Sequence, residues 1–251
     1  FCFDLSNHLW VLRQTGLHEA KLARFPEING HLKEPTLESQ IPFRLESEDD
    51  LTIVSGQDGL IWYDNNFNKH GLEAFNPSTE TWIVLEENNN RCRSVIEGRD
   101  GTIWAGYAGE IARVTSNGKL SLYTREMIPI PRAPTSLYET SNGRLWTIGR
   151  IGYVYSVDIG SAEWTTYSDL NFRCEGSDGT QWFVQDYKQG VVSYSPNRDE
   201  WLLYEADDGL INDPYTLFAS SHGLIWAAGR HKLHAAFSVF DGQTWSLFLH
   251  E

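Results

Sequence analysis

A five-residue segment, Asp58-Gly59-Leu60-Ile61-Trp62, is repeated with small changes along this chain of 251 residues. Its Trp returns after 36 to 52 residues each time, and such periods are typical of β-propeller blades and of helical HEAT arrays. A repeat of this length determines the architecture of the whole chain. The six copies, the first of them degenerate, end at Trp10, Trp62, Trp104, Trp146, Trp182 and Trp226.

Turn chemistry favours strands over helices in each repeat. Asp-Gly and Asn-Gly pairs are the strongest short signals for β-hairpins, because the turn needs positive φ at its central residues. A short apolar stretch precedes each turn, and two more strands follow the Trp strand, the last often aromatic, as in Trp201-Leu202-Leu203-Tyr204. Four strands in each of six units predict an all-β fold: a single β-propeller of six four-stranded blades, with a seven-bladed ring as the alternative.

The whole chain, residues 1–251, is therefore expected to be one propeller domain. It begins with an inner strand and ends with an outer strand, so nothing suggests that a terminal strand completes the last blade from the other end. The predicted blades span residues 1–47, 48–88, 89–130, 131–169, 170–208 and 209–251.

Charge and composition exclude several classes of partner. The formal net charge is −14, and an acidic surface repels phosphate, so we expect negligible association with nucleic acid, heparin or anionic membranes. No apolar run approaches the ~20 residues of a membrane-spanning helix. The chain begins Phe1-Cys2-Phe3 without Met or a visible signal peptide, which suggests a processed protein or a domain of a longer one.

The Asp-Gly-x-Ile-Trp repeat, with a following Gly-Leu and an aromatic last strand, resembles the two-component-regulator propeller repeat over nearly the whole chain. The first unit departs from it, because it lacks the Asp-Gly pair and carries an insertion around Gly30 to Gln40. The resemblance implies a periplasmic or extracellular sensor domain of a bacterial signalling protein. It also implies a small polar ligand such as an oligosaccharide, and signalling output domains in a longer chain.

Virginiamycin B lyase-like propellers are a second, more distant resemblance, and they have enzymatic members. Such an enzyme would need a His and an acidic residue converging with Mg²⁺. A third hypothesis for the function is a protein-interaction scaffold. The sequence holds no strong catalytic constellation, so the expectation leans towards a non-enzyme without cofactor or metal. His231 and His234, with His222 nearby, form the only His cluster, and its spacing favours a polar turn and strand surface.

Three cysteines are expected to be free, mostly buried thiols. Cys2 and Cys174 each lie eight residues before a repeat Trp, so they occupy the same place on the first strand of two units that are not neighbours. A disulfide between them is therefore not expected. Cys92 lies twelve residues before its Trp and has no equivalent.

A ligand site is expected where the loops after the second strands meet the connections between blades. Loops on a rigid scaffold often carry function, and Arg, Asn and Tyr are frequent in these loops. Ordinary turn chemistry would also explain them. Arg173, on a predicted first strand, should face water or pair with Glu175 or Glu139, because a charge is not buried alone. The predicted ligand-binding residues are Tyr107, Arg150, Tyr187, Tyr215 and Arg230.

Overall fold

Six antiparallel sheets of four strands each make up the structure, and within each sheet the strands are ordered as in the chain. This confirms the predicted all-β class and the count of six four-stranded sheets. Among the described residues, one short 3-10 helix, Ala206–Asp208, is the only helical element. The computed structural model describes residues 1–16, 19–26, 34–41, 52–64, 72–85, 92–107, 110–114, 120–122, 136–148, 153–185 and 189–249.

The chain divides into two compact units, and the first, Phe1–Leu137, contains sheets one to three. In this unit, the first strands of consecutive sheets contact each other. The strands are β1 (Cys2–Phe3), β2 (Leu9–Gly16), β3 (Glu19–Phe25) and β4 (Leu37–Gln40) in sheet one; β5 (Ile53–Ser55), β6 (Ile61–Asp64), β7 (Leu72–Asn76) and β8 (Thr81–Val84) in sheet two; and β9 (Cys92–Glu97), β10 (Ile103–Tyr107), β11 (Glu110–Val114) and β12 (Leu120–Leu122) in sheet three.

The second unit, Tyr138–Glu251, contains sheets four to six, and the division falls inside the first strand of sheet four. The first strands of sheets five and six contact each other. The strands are β13 (Ser136–Glu139), β14 (Arg144–Ile148), β15 (Tyr153–Asp158) and β16 (Trp164–Ser168) in sheet four; β17 (Leu170–Glu175), β18 (Gln181–Gln185), β19 (Val191–Ser195) and β20 (Glu200–Tyr204) in sheet five; and β21 (Asp213–Ala219), β22 (Ile225–His231), β23 (His234–Phe240) and β24 (Trp245–Leu249) in sheet six.

The Asp of the repeated turn has two functions. In sheet two, Asp58 Oδ1 accepts the backbone N–H of Leu60, and Asp58 Oδ2 accepts the indole N–H of Trp62 at 3.1 Å. Gly59 next to it has a φ of 78°, which a residue with a Cβ adopts only under strain. Sheet one lacks the Asp-Gly pair, but Asp4 Oδ2 accepts the indole N–H of Trp10 at 2.9 Å. Asp4 therefore supplies the same contact from a longer turn.

Within each unit, the core lies between consecutive sheets. Trp10 is fully buried and packs edge-on against Phe75 of the next sheet, and Trp182 packs in the same way against Phe240 and Trp245. Burying a Trp removes roughly 150–250 Å² from water, which is worth at most about 4–6 kcal/mol at roughly 25 cal/mol/Å². The repeat Trp is thus a packing residue between sheets, as its periodicity predicts.

A second contact joins the turns of neighbouring sheets. The carboxylate of Glu175, at the end of β17, accepts the backbone N–H of Ser141 at 2.8 Å and its hydroxyl at 2.6 Å. In the first unit, Glu97 at the end of β9 accepts the backbone N–H of Gln57 in the same way. In sheet six the corresponding residue is Ala219, which has no carboxylate to offer.

Two details of the sequence interpretation are tested by the strand register. Cys2 pairs with Trp10 and Cys174 with Trp182, which confirms that both thiols hold the same position on a first strand. All three cysteines are free. The expected insertion around Gly30 to Gln40 is wrong in part, because Leu37–Gln40 forms β4, the fourth strand of sheet one.

Candidate functional site

The five predicted ligand-binding residues differ in position and in exposure, and the structure describes three of them. Tyr215 and Arg230 lie together at one end of sheet six. Tyr107 is fully buried in β10 beside Cys92, where burial raises the pKa of its hydroxyl, so its side chain offers no surface to a ligand. Arg150 and Tyr187 lie outside the described residues.

Tyr215 and Arg230 form the core of what we call the Tyr215–Arg230 site. The guanidinium carbon of Arg230 lies 5.8 Å from the centre of the Tyr215 ring, a distance typical of a cation–π contact. Tyr215 is 54% exposed, and Arg230 is exposed as well. No ion pair holds the guanidinium among the residues that the structure describes. An aromatic face and a forked donor are therefore both available to solvent.

A β-bulge directs Tyr215 outwards. Pro214 pairs with Gly229 and Thr216 with Ala228, so Tyr215 has no partner of its own on β22. Bulges re-aim side chains in this way and are frequent next to functional sites. The site thus depends on an irregularity that the repeat itself does not encode.

Gly229 makes room for this bulge. A Cβ built on Gly229 would lie 2.0 Å from the carbonyl oxygen of Asp213 and 3.1 Å from the backbone nitrogen of Tyr215. Real side chains do not tolerate such contacts with backbone atoms, so only glycine fits here. A Gly inside a predicted strand was the sequence signal that could have revealed the bulge.

Polar contacts fix the surroundings of the site. The side-chain amide of Gln189, from the loop of sheet five, donates to Asp213 Oδ1 at 2.8 Å and so links the two neighbouring sheets. Asn212 Oδ1 accepts the backbone N–H of Lys232 at 3.3 Å. Asp213 itself pairs with Arg230 across the β21–β22 ladder. The site is thus anchored from two sheets of the second unit.

The hairpin that follows Arg230 has an unusual tip. His231 pairs with His234, and the two residues between them, Lys232 and Leu233, have φ values of 48° and 72°. Turns of this kind are usually made by Asn and Gly, so Lys and Leu are held here at some cost in strain. Leu233 is 88% exposed, so the hairpin ends in an apolar side chain next to the cationic side chain of Lys232.

Arg173 departs from its predicted position because of a second bulge. Phe172 pairs with Phe183 and Cys174 with Trp182, so Arg173 is the extra residue and not the equivalent of the buried Val95. Its side chain is half-buried, and its Nε has no partner among the described residues. The proposed register is therefore wrong at this one residue.

Of the two partners expected for Arg173, Glu175 and Glu139, Glu175 accepts hydrogen bonds from Ser141. Arg93, in β9, is a third bulged residue, between the pairs Ser94–Gly106 and Cys92–Tyr107, and sequence reasoning missed it. Three first strands thus carry bulged residues, of which two are Arg.

Metal-binding side chains do not converge in the described part of the chain. It contains no group of three or more His, Cys, Asp or Glu residues placed to hold a metal ion. His231 and His234 lie side by side on the hairpin, while His222 is in the turn at the other end of β22.

Comparison with solved structures shows the fold class. The structure matches virginiamycin B lyase of Staphylococcus aureus with a TM-score of 0.65 and 15% identity, over 99% of this chain and 83% of the lyase. It matches the β-propeller domain of Cps50 (Swd1) from Myceliophteria thermophila with a TM-score of 0.62 and 10% identity, over 91% of this chain and 79% of that one.

A third match is the extracellular domain of BT4673 from B. thetaiotaomicron, described as a one-component or hybrid two-component system. Its TM-score is 0.56 at 16% identity, and the match covers 95% of this chain but only 36% of that domain. No protein-family model and no curated protein sequence matches the chain. At these sequence identities the comparisons show the fold alone: the six sheets are blades of a β-propeller.

Proposed function

We propose that this chain is a non-enzymatic, ligand-binding propeller of a bacterial signalling protein, and that it recognises a small polar ligand such as an oligosaccharide at the Tyr215–Arg230 site. The observation that carries the proposal is the exposed Tyr215 ring with the Arg230 guanidinium above its face. Both groups are held by a bulge that excludes any residue but glycine at position 229.

The chemistry of the site suits an oxygen-rich ligand with an apolar ring face. An exposed tyrosine supplies a rigid surface for stacking, and a guanidinium with no ion pair among the described residues supplies forked donors for hydroxyl or carboxylate oxygens. Gln189 and Asp213 add an amide and a carboxylate at the edge of the site. Arg150 and Tyr187, which lie outside the described residues, are proposed as further contacts.

A sensor role is supported by the likeness to the BT4673 extracellular domain, which belongs to a signalling system. By the same likeness we propose a periplasmic or extracellular location and signalling output domains in a longer polypeptide. In the described residues no helix has both the length and the apolar character needed to cross a membrane.

A glycan and metabolite thermal-shift screen tests the proposal. A ligand that binds only the folded state stabilises it by about 2.7 kcal/mol at a hundred-fold excess over Kd, which raises Tm measurably. Arg230→Ala and Tyr215→Ala should each abolish the shift given by a hit. Arg198→Ala and Tyr153→Ala remove exposed residues of the same types from other surfaces and should leave it intact.

Two results would contradict the proposal. One is a hit whose shift survives both site variants, which would place binding elsewhere. The other is a screen without hits together with capture of a protein partner that does not depend on Arg230, which would favour an interaction scaffold.

A metal-assisted lyase activity remains the alternative, and it has no support beyond the shared fold. Metal analysis of the purified protein separates the two. Mg²⁺-dependent turnover of virginiamycin B, the substrate in the name of the matched lyase, would replace the proposal with an enzyme. A hit from the ligand screen that persists in chelator would support the sensor role.

A further inference from the structure

Sheet five replaces an apolar row of the repeat with a polar one. In sheets two, four and six, the residue before the repeat Trp pairs with an apolar residue on the third strand, which pairs in turn with a Trp on the fourth. These rows are Ile61–Phe75–Trp82, Leu145–Val157–Trp164 and Ile225–Phe240–Trp245. In sheet five the row is Gln181–Tyr194–Trp201.

Packing does not require these polar groups, because three other sheets pack with apolar side chains at the same positions. Gln181 is fully buried, and its Oε1 has no partner among the described residues, which costs free energy that Ile or Leu would not. Its amide donates to Asn142 Oδ1 at 3.2 Å. Tyr194 donates its hydroxyl to Asp199 Oδ1 at 3.0 Å, in an exposed contact. The row therefore brings polar groups to the surface between sheets four and five for a reason other than stability.

Trp201 is the exposed member of the outer-strand Trp residues. It is 39% exposed, whereas Trp245 at the same position of sheet six is 5% exposed. Trp82 of sheet two is half-buried, and its indole N–H donates to Ser39 of the preceding sheet at 3.0 Å. Tyr167 takes the place of Ser39 in sheet four, and its contact with Trp201 is one between rings, at 5.4 Å. The ring of Trp201 is thus left available to a ligand.

Other rings fix the orientation of Trp201. Its ring stacks on that of Tyr194 at 4.4 Å, with 25° between the planes, and lies 5.6 Å from the ring of the buried Phe183. An exposed aromatic ring that is already held in place loses little conformational entropy when a ligand stacks on it.

A guanidinium group without a carboxylate partner lies nearby. Arg144 Nη2 donates to Ser156 Oγ at 2.7 Å and to Thr165 Oγ1 at 3.1 Å, and its Nε donates to Ser156 Oγ at 3.1 Å. In the described part of the chain no ion pair holds this side chain. Partial burial and the hydrogen bond to Asp199 raise the pKa of Tyr194, while Arg144 acts to lower it, so both charges lie close to this one hydroxyl.

The two charges select the class of ligand. A hydroxyl group both donates and accepts, so a sugar can use the donors of Arg144 and the second carboxylate oxygen of Asp199 together. An anion would be repelled by Asp199, and a cation by Arg144. A proline-rich peptide offers mainly carbonyl acceptors and would leave the carboxylate unused. A neutral ligand with several hydroxyl groups and an apolar ring face fits both the charges and the exposed Trp.

We propose that the outer seam between sheets four and five, which we call the Trp201 seam, binds a pyranose ring of a neutral glycan. The sugar ring stacks on Trp201, and its hydroxyl groups accept from Arg144 and donate to Asp199. The site is separate from the Tyr215–Arg230 site, which lies in sheet six. The residues of the seam all belong to the second unit: Arg144, Thr165, Tyr167, Tyr194, Asp199 and Trp201.

Fluorine NMR tests the proposal. The protein is labelled with 5-fluorotryptophan and titrated with five neutral hexasaccharides, namely malto-, cello-, xylo-, manno- and laminarihexaose. Trp201→Phe and Trp245→Phe identify two resonances among the ten of the chain. At least one probe should shift the Trp201 resonance saturably and leave that of the buried Trp245 unchanged.

Variants then locate the contacts, with affinity for that probe measured by calorimetry. Trp201→Ala should bind at least about ten-fold more weakly, because the stacking surface is lost. Asp199→Asn keeps an acceptor for Tyr194 and tolerates the φ of 49°, so it guards against misfolding. It and Arg144→Gln should each bind about three-fold or more weakly, since a charged hydrogen-bonding group is lost. Tyr153→Ala removes an exposed ring from the opposite face of sheet four and should bind as the parent does.

The outcomes distinguish the Trp201 seam from the Tyr215–Arg230 site. Tyr215→Ala and Arg230→Ala should leave the Trp201 shift intact. A probe that these two variants lose, but that Trp201→Ala binds with parental affinity, would support the function proposed above and overturn the seam. Parental affinity in both Asp199→Asn and Arg144→Gln would also overturn it. So would a panel that never shifts the Trp201 resonance, or a shift given by a polyproline peptide and by no glycan.

Discussion

Glu175 receives two hydrogen bonds from Ser141, one from the backbone N–H and one from the hydroxyl, and so ties the turn of sheet four to the first strand of sheet five. The contact is exposed, which limits its strength, but it satisfies a turn N–H with a charged acceptor. It adds a polar link to sheets that otherwise pack through apolar side chains.

We expect Glu175→Ala to lower the free energy of unfolding by about 1 kcal/mol, since an exposed charged acceptor contributes modestly. Urea unfolding followed by Trp fluorescence measures the change. Glu200→Ala, an exposed Glu on the outer strand of the same sheet, is the control and should change stability by less than about 0.5 kcal/mol. Equal effects of the two variants would show that the contact with Ser141 is not stabilising.

Gly229→Ala should destabilise the second unit by about 2–3 kcal/mol, because the added methyl group would lie 2.0 Å from the Asp213 carbonyl oxygen. Any ligand found for the Tyr215–Arg230 site should also bind more weakly, since the bulge that orients Tyr215 would be lost. Gly160→Ala is the matched control, because its Cβ would meet only Asp158 Oδ1, at 3.4 Å. An unchanged Tm in Gly229→Ala would mean that the bulge is more adaptable than its geometry indicates.

The repeat was predictable because it depends on local chemistry. Asp-Gly turns need positive φ, and a Trp at each period needs a neighbouring sheet, so both fold class and sheet count follow from residues such as Gly59 and Trp62. The bulges at Arg93, Arg173 and Tyr215 each add one residue to a first strand, and the local residue types do not reveal them. Counting residues back from the repeat Trp therefore misplaced Arg173.

The candidate site was predictable only in part for the same reason. Tyr215 and Arg230 could be chosen as loop-end residues, but their contact depends on which residue the bulge leaves unpaired. Tyr107 has a similar sequence context and yet is buried, because its side chain points into the packing between sheets two and three. Side-chain direction at a strand end depends on register, which one sequence does not reveal.

The three thiols should be poorly reactive in the folded protein. Burial raises the pKa of Cys2 to about 11 and that of Cys174 to about 12, and it raises the pKa of the fully buried Cys92 well above its ordinary value. Since the thiolate is the reactive form, maleimide at pH 7.5 should label all three slowly, and Cys92 at least about ten-fold more slowly than Cys2. In urea all three should react at similar rates. Rapid native labelling of Cys92 would contradict its burial.

Glu73 should make stability depend on pH. Its carboxyl group is fully buried, its Oε2 accepts the hydroxyl of Tyr63, and its Oε1 has no partner among the described residues. Burial raises the pKa of Glu73 to about 8, from an ordinary value of 4.5. The folded state therefore keeps the proton between these two pH values, while the unfolded state releases it.

It follows that the contribution of Glu73 to stability is fully present below pH 4.5 and is lost as the pH rises towards 8, by at most about 1.4 kcal/mol per pH unit. Glu73→Gln keeps an acceptor for Tyr63 and carries no proton to lose. It should be more stable than the parent protein at pH 8 and should flatten the fall between pH 5 and 8, as measured by urea unfolding at each pH. Glu200→Gln, in an exposed position, should keep the parental profile. If the Glu73→Gln profile runs parallel to that of the parent protein, Glu73 is already ionised in the folded state, and the buried carboxyl group must have gained a cationic or donor partner.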